Sequence, residues 1–138
     1  MYIDTSSLVA FYVPEKNTDI VNSIVMNSEL VQVSTLTHVE FISAVNKKFR
    51  IGTMTKKEVT AAIDEFERQV LQKIITELDF EHQHFDSAAM ILKQTSYPLR
   101  TLDALHLAIC FINKSSILSF DRVLVEAAKE FDIKAIEY

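Results

Sequence analysis

Apolar positions along this chain switch between two periods. Short runs rich in Ile, Val and Leu occur at residues 1–4, 30–34, 74–78, 116–119 and 133–136. Runs of that length and composition read as buried strands of a parallel sheet. Between them the spacing becomes helical. Residues 18–27 place Ile20, Ile24 and Val25 on one face, and 36–51 do the same with Val39, Ile42, Val45 and Phe49. Residues 55–72 carry Val59, Ala62, Ile63, Phe66 and Val70 at helical spacing. That segment opens on Thr55-Lys56-Lys57-Glu58, the pattern of a capping box. Helices are also predicted over 81–95, 101–113 and 122–131, with Pro98 separating the first two.

Strands alternating with helices imply a parallel sheet covered on both faces. Two successive helices between the second and third strands make that excursion longer than a minimal crossover. No internal repeat, low-complexity stretch or linker divides the 138 residues, so one domain spanning 1–138 is expected. Almost half of the chain is hydrophobic, with one Gly and two Pro, a composition that favours a packed core over disorder.

Against that apolar pattern, four carboxylates stand out. Asp4 follows Met1-Tyr2-Ile3, and Glu40 interrupts Val39 and Phe41-Ile42. Asp103 lies within Leu102-Asp103-Ala104-Leu105-His106-Leu107, and Asp121 follows Ile117-Leu118-Ser119-Phe120. A carboxylate near a core must be paired, hydrogen-bonded or bound to a metal. In open α/β sheets, ligands bind beyond the carboxyl ends of the strands. Asp4 and Asp121 fall at two such ends, whereas Asp103 and Glu40 fall near the starts of helices. Each also has an ordinary explanation. Asp4 and Asp121 suit helix N-caps, Asp103 suits a first-turn acid, and Glu40 a solvated helix surface.

The formal net charge of −5 weighs against a simple electrostatic nucleic-acid binder, but not against a nuclease whose cations offset local charge. Cys110 is the only cysteine, so neither an internal disulfide nor a thiolate zinc cluster can form; its apolar setting reads as packing. The opening run lacks a basic n-region and no apolar run is long enough to span a bilayer. Cytoplasmic localisation without a membrane partner is the expectation. His82 and His84 are expected at the surface. His106, one turn after Asp103, reads as a packed histidine or one that orients that acid. Lys47, Lys48, Arg50, Lys56 and Lys57 form a locally basic segment that could steer phosphates, as could Arg100 and Arg122. With Gly52 the sole glycine, a P-loop is excluded. Asp4-Thr5-Ser6 lacks the second Asp that a phosphohydrolase nucleophile pair would need.

Four blocks in order resemble the PIN-domain family, and within it the VapC-like ribonuclease toxins of type II toxin–antitoxin pairs. They are Met1-Tyr2-Ile3-Asp4-Thr5-Ser6, Ser34-Thr35-Leu36-Thr37-His38-Val39-Glu40, Leu102-Asp103-Ala104-Leu105-His106-Leu107-Ala108 and Ser119-Phe120-Asp121-Arg122-Val123-Leu124. Where the family often has Thr, this chain has Ser119, which keeps the hydroxyl. The resemblance implies a three-layer α/β/α sandwich around a five-stranded, mainly parallel sheet of order 3-2-1-4-5. It implies a Mg²⁺- or Mn²⁺-dependent endoribonuclease with Asp4, Glu40, Asp103 and Asp121 as catalytic residues. Asp4, Asp103 and Asp121 would be the metal ligands, Glu40 would ligate or orient water and act as a base, and Ser6 and Ser119 would position carboxylates. The implied partners are an RNA substrate, a small VapB-like antitoxin, a second copy in a homodimer, and operator DNA through the antitoxin alone. The rival expectation is a non-catalytic PIN-like scaffold that binds RNA or protein.

Overall fold

The structure, a computed structural model, describes residues 1–136. Its elements in chain order are β1 (Tyr2–Ile3), α1 (Thr5–Tyr12), α2 (Thr18–Met26), β2 (Val31–Ser34), α3 (Thr35–Arg50) and α4 (Lys56–Leu71). They continue with β3 (Ile75–Leu78), α5 (His82–Gln94), α6 (Thr101–Asn113), β4 (Ile117–Leu118) and α7 (Arg122–Glu130). The strands form one sheet of order β3-β2-β1-β4 with every pair parallel.

Side chains alternate across each strand, and this sorts the core into two halves. Ile3, Val31, Val33, Ile75 and Leu118 pack beneath α1–α4. Tyr2 and Ile117 point the other way, into α5–α7. The result is the expected three-layer α/β/α sandwich. At the centre of the first half, the rings of Tyr12, Phe41 and Phe66 pack with centroids 5.1–5.7 Å apart. Phe66 is fully buried, so its truncation to Ala would cost about 3–5 kcal/mol.

The sheet differs from expectation in strand number. Residues 134–136 lie along the free edge of β4, where the fifth strand of order 3-2-1-4-5 was expected, but they form a single parallel bridge, Ile117 to Ala135. The Ile117 N–H donates to Lys134 O at 2.9 Å and the Ile136 N–H to Ile117 O at 2.8 Å. A partner strand of two residues offers no longer ladder. A second difference is α1, which the periodicity did not reveal. Ser7, Leu8, Val9 and Ala10 are buried consecutively there, so no polar face marks the helix.

The capping box predicted at Thr55 is present. The Glu58 N–H donates to Thr55 Oγ1 at 3.2 Å, and the Thr55 N–H donates to Glu58 Oε2 at 2.7 Å. Several helices end on a residue with positive φ, but only Gly52 is suited to it; Lys73 (58°), Lys114 (52°) and Asp132 (57°) occupy the left-handed region despite their side chains. Cys110 is fully buried in the second core half, and burial pushes its thiol up, away from reactivity. No helix among the described residues is long and apolar enough to cross a membrane.

Candidate active site

Parallel strands deliver Asp4, Ser34 and Ser119 to one rim, Asp4 and Ser119 immediately beyond β1 and β4 and Ser34 as the last residue of β2. In the order β3-β2-β1-β4 the chain works outward from β1 to β2 and β3, then returns to the other side of β1. The crevice beside β1 is therefore the switch point where ligands bind in such sheets. A cavity of about 610 Å³ opens there. Asp4, Glu40, Asp103 and Asp121 all line it, so the rim brings together all four acids singled out in the sequence. Lys47, Arg100 and His106 line it as well.

Asp4 is the most enclosed of the four, only 5% exposed. Its Oδ1 caps α1 by accepting the Ser7 N–H at 2.8 Å. Its Oδ2 accepts the Ser6 hydroxyl at 2.8 Å and the Ser119 hydroxyl at 2.7 Å. Ser119 in turn accepts the Asp121 N–H at 3.0 Å, tying the ends of β1 and β4 together. Both serine hydroxyls thus donate to the same Asp4 oxygen. Asp121 caps α7, its Oδ1 accepting the N–H groups of Val123 and Leu124 at 2.8 and 3.1 Å. Asp103 accepts the Arg100 N–H through Oδ2 at 3.1 Å, in the first turn of α6. Three of the acids therefore stand at helix N-termini, where the helix dipole offsets part of their mutual repulsion.

Glu40 is not the solvated surface residue its sequence setting allows. It is half-buried, and its Oε2 accepts from the Thr5 hydroxyl and from His106 Nε2, the latter at 2.8 Å. Burial alone would push this carboxyl up; the His106 and Thr5 hydrogen bonds outweigh it and hold the group below the usual carboxylate range. His106 is packed, as its sequence setting suggests, but it orients Glu40 and not Asp103. Neither Thr5 nor this histidine contact has a local sequence signature, because Thr5 lies 35 residues and His106 66 residues from Glu40.

The other candidates separate. Lys47 and Arg100 reach the cavity, and neither forms an ion pair among the described residues. Lys48 pairs instead with Glu15, and Lys56 lies 5.8 Å over the Phe49 ring. Arg122 does not line the cavity. His82 is at the surface, whereas His84 is buried, its Nδ1 accepting the Glu81 N–H at the start of α5. The surface role expected of His84 is thus corrected by its place as a cap. His38 bonds Glu77 and Glu67 across α3, β3 and α4, away from the cavity.

The donor set suits a hard divalent cation. All four candidates offer oxygen, and Asp103 Oδ1, Asp121 Oδ2 and Glu40 Oε1 accept no hydrogen bond among the described residues. Among those residues, no three Asp, Glu, His or Cys side chains stand close enough to close a coordination shell by themselves. Mg²⁺ usually keeps several waters and takes one or two carboxylates directly, which a wide, oxygen-lined cavity accommodates.

A PIN domain family model matches residues 1–130. The chain belongs to the PIN domain family. No curated protein sequence matches it. Among solved structures, this PIN domain is similar to Mycobacterium tuberculosis VapC20, described as a sarcin-ricin loop cleaving toxin. The two share 15% identity over 91% of this chain and 93% of that one, with a TM-score of 0.74. FitAcB from Neisseria gonorrhoeae is 17% identical over 99% and 96% of the two chains, with a TM-score of 0.74. VapBC2 from Rickettsia felis, bound to a DNA fragment from its promoter, is 14% identical over 99% and 96%, with a TM-score of 0.68. At these identities the likeness is one of fold.

Proposed function

We propose that this PIN domain is a Mg²⁺- or Mn²⁺-dependent endoribonuclease, the toxin of a VapBC-like toxin–antitoxin pair. The observation that carries this reading is the single cavity collecting Asp4, Glu40, Asp103 and Asp121 at the strand ends beside Lys47 and Arg100. Family membership and the toxin neighbours support it. Asp4, Asp103 and Asp121 are the residues that would hold the cation. When bound, a divalent cation there supplies Lewis acidity toward a phosphate oxygen and toward water. Asp4 is held in place by Ser6 and Ser119, so it meets its ligand without reorganising. Glu40 is ionised, and its Oε1 accepts the proton of an attacking water while Oε2 stays anchored on Thr5 and His106. Lys47 and Arg100 take the phosphates flanking the scissile bond, which reconciles a chain of net charge −5 with a polyanionic substrate.

The same reading gives the protein a small VapB-like antitoxin that covers the acidic cavity, a homodimeric state and a cytoplasmic location. Operator DNA is met through the antitoxin alone. The rival reading, a non-catalytic PIN-like scaffold, is favoured by one observation, that among the described residues no three ligating side chains converge into a ready shell. Incubating the full chain with mixed cellular RNA and Mg²⁺, Mn²⁺ or EDTA, beside Asp4→Asn and Asp103→Asn, separates the two. Metal-dependent cleavage that both variants lose supports the nuclease. Cleavage that persists in EDTA or in both variants overturns the assigned site, and no cleavage by the parent favours the scaffold.

A further inference from the structure

A hydrogen-bonded network runs from the cavity into the opposite half of the core. His106, 4% exposed, bonds Glu40 Oε2 through Nε2 at 2.8 Å and the Tyr2 hydroxyl through Nδ1 at 2.6 Å. The Tyr2 oxygen also lies 2.8 Å from Ser34 Oγ and 2.8 Å from Thr37 Oγ1. All three hydroxyl residues are fully buried. Resting on the nuclease reading above, we propose that His106 is the positioning residue of this site. It holds Glu40 by one carboxylate oxygen, leaving the other to the cavity, and the Tyr2, Ser34 and Thr37 hydroxyls lock it in the Nε2–H form that does so.

The contact to Glu40 sets which nitrogen carries the hydrogen. Ser34 and Thr37 form the capping box that opens α3. Ser34 Oγ accepts the Thr37 N–H at 3.2 Å, and Thr37 Oγ1 accepts the Ser34 N–H at 3.3 Å. The two hydroxyl oxygens also lie 3.0 Å from each other, and the Tyr2 oxygen stands within reach of both. When Ser34 and Thr37 both donate to it, the Tyr2 oxygen directs its own O–H to His106 Nδ1. Nδ1 is then the accepting nitrogen and Nε2 carries the hydrogen. The other end requires the same form, because ionised Glu40 can only accept.

The test uses ¹⁵N spectra of the full chain and RNA cleavage in Mn²⁺ by the parent, His106→Leu, His106→Gln and Tyr2→Phe. The parent should show a protonated Nε2 and an unprotonated Nδ1 on His106, and Tyr2→Phe should shift the Nδ1 resonance. His106→Leu should lower kcat by roughly ten- to a hundredfold, the range for residues that orient functional groups, with KM nearly unchanged. His106→Gln, which keeps a donor for Glu40, should recover most of that loss. A protonated Nδ1 in the parent, a Leu variant at the parental rate, or Leu and Gln variants equally slow would each overturn the proposal while leaving the nuclease reading standing. A parent that cleaves no RNA overturns both.

Discussion

Removing the Ser119 hydroxyl tests whether the rim is built around Asp4. Ser119 is fully buried, donates to Asp4 Oδ2 at 2.7 Å and accepts the Asp121 N–H at 3.0 Å. In Ser119→Ala, Asp4 loses one of three donors while only 5% exposed, so water cannot freely replace it. A hydrogen bond to a charged group contributes about 1.5–3 kcal/mol. The Asp121 N–H adds little, because Asp121 is exposed and water can serve it. The expected loss is therefore about 2–3 kcal/mol. With unfolding entropy near 2 cal/mol/K per residue over 138 residues, each kcal/mol moves Tm by about 3.5 °C. Ser119→Ala should thus melt about 7–10 °C below the parent in calorimetry. Ser119→Thr, which keeps the hydroxyl and adds a methyl to a packed position, should lose clearly less. An Ala variant melting within about 1 °C of the parent would refute the claim that this hydroxyl anchors Asp4.

Thr5→Val removes a donor from Glu40, whose carboxyl is held below its ordinary value of 4.5 in the folded chain. A depressed carboxyl stabilises the fold fully above the unfolded pKa, and that contribution disappears as pH falls through the folded one. Urea unfolding should therefore show the variant about 1 kcal/mol less stable at neutral pH, with the gap narrowing below about pH 4.5. An equal gap at both pH values would contradict the assignment. Lys114→Gly relieves a left-handed residue at the exposed end of α6, with φ at 52°, and should raise stability by about 1 kcal/mol. A lowered Tm for that variant would show that the Lys114 side chain contributes more than its backbone costs.

The acids were legible because strand ends and helix starts leave local marks. Asp4 and Asp121 follow short apolar runs, and Asp103 opens an apolar helix. Weighing cap against ligand treats as alternatives two roles that one carboxylate can fill. Asp121 and Asp103 each spend one oxygen on a helix N-terminus and leave the other without a hydrogen bond among the described residues. Helices that begin at the carboxyl rim put their caps and the ligand site in the same place. What the sequence did not disclose depends on long-range partners. The Tyr2–His106 bond spans 104 residues, and nothing near either end predicts it. Helix α1 was missed for a different reason. Its consecutive buried positions follow Thr5-Ser6-Ser7, residues that favour caps over helix interiors. The fifth strand was placed on the correct edge, yet β4 is two residues long and supports only one bridge there.

The proposed function depends on one cation site formed by Asp4, Asp103 and Asp121. Its most direct test is a Mn²⁺ titration of the full chain, with free Mn²⁺ read by electron paramagnetic resonance, in the parent and in each Asp→Asn variant. One site in the parent, weakened roughly tenfold or more by each substitution, is the predicted result. Parental affinity in all three variants, or no binding by the parent, would contradict it.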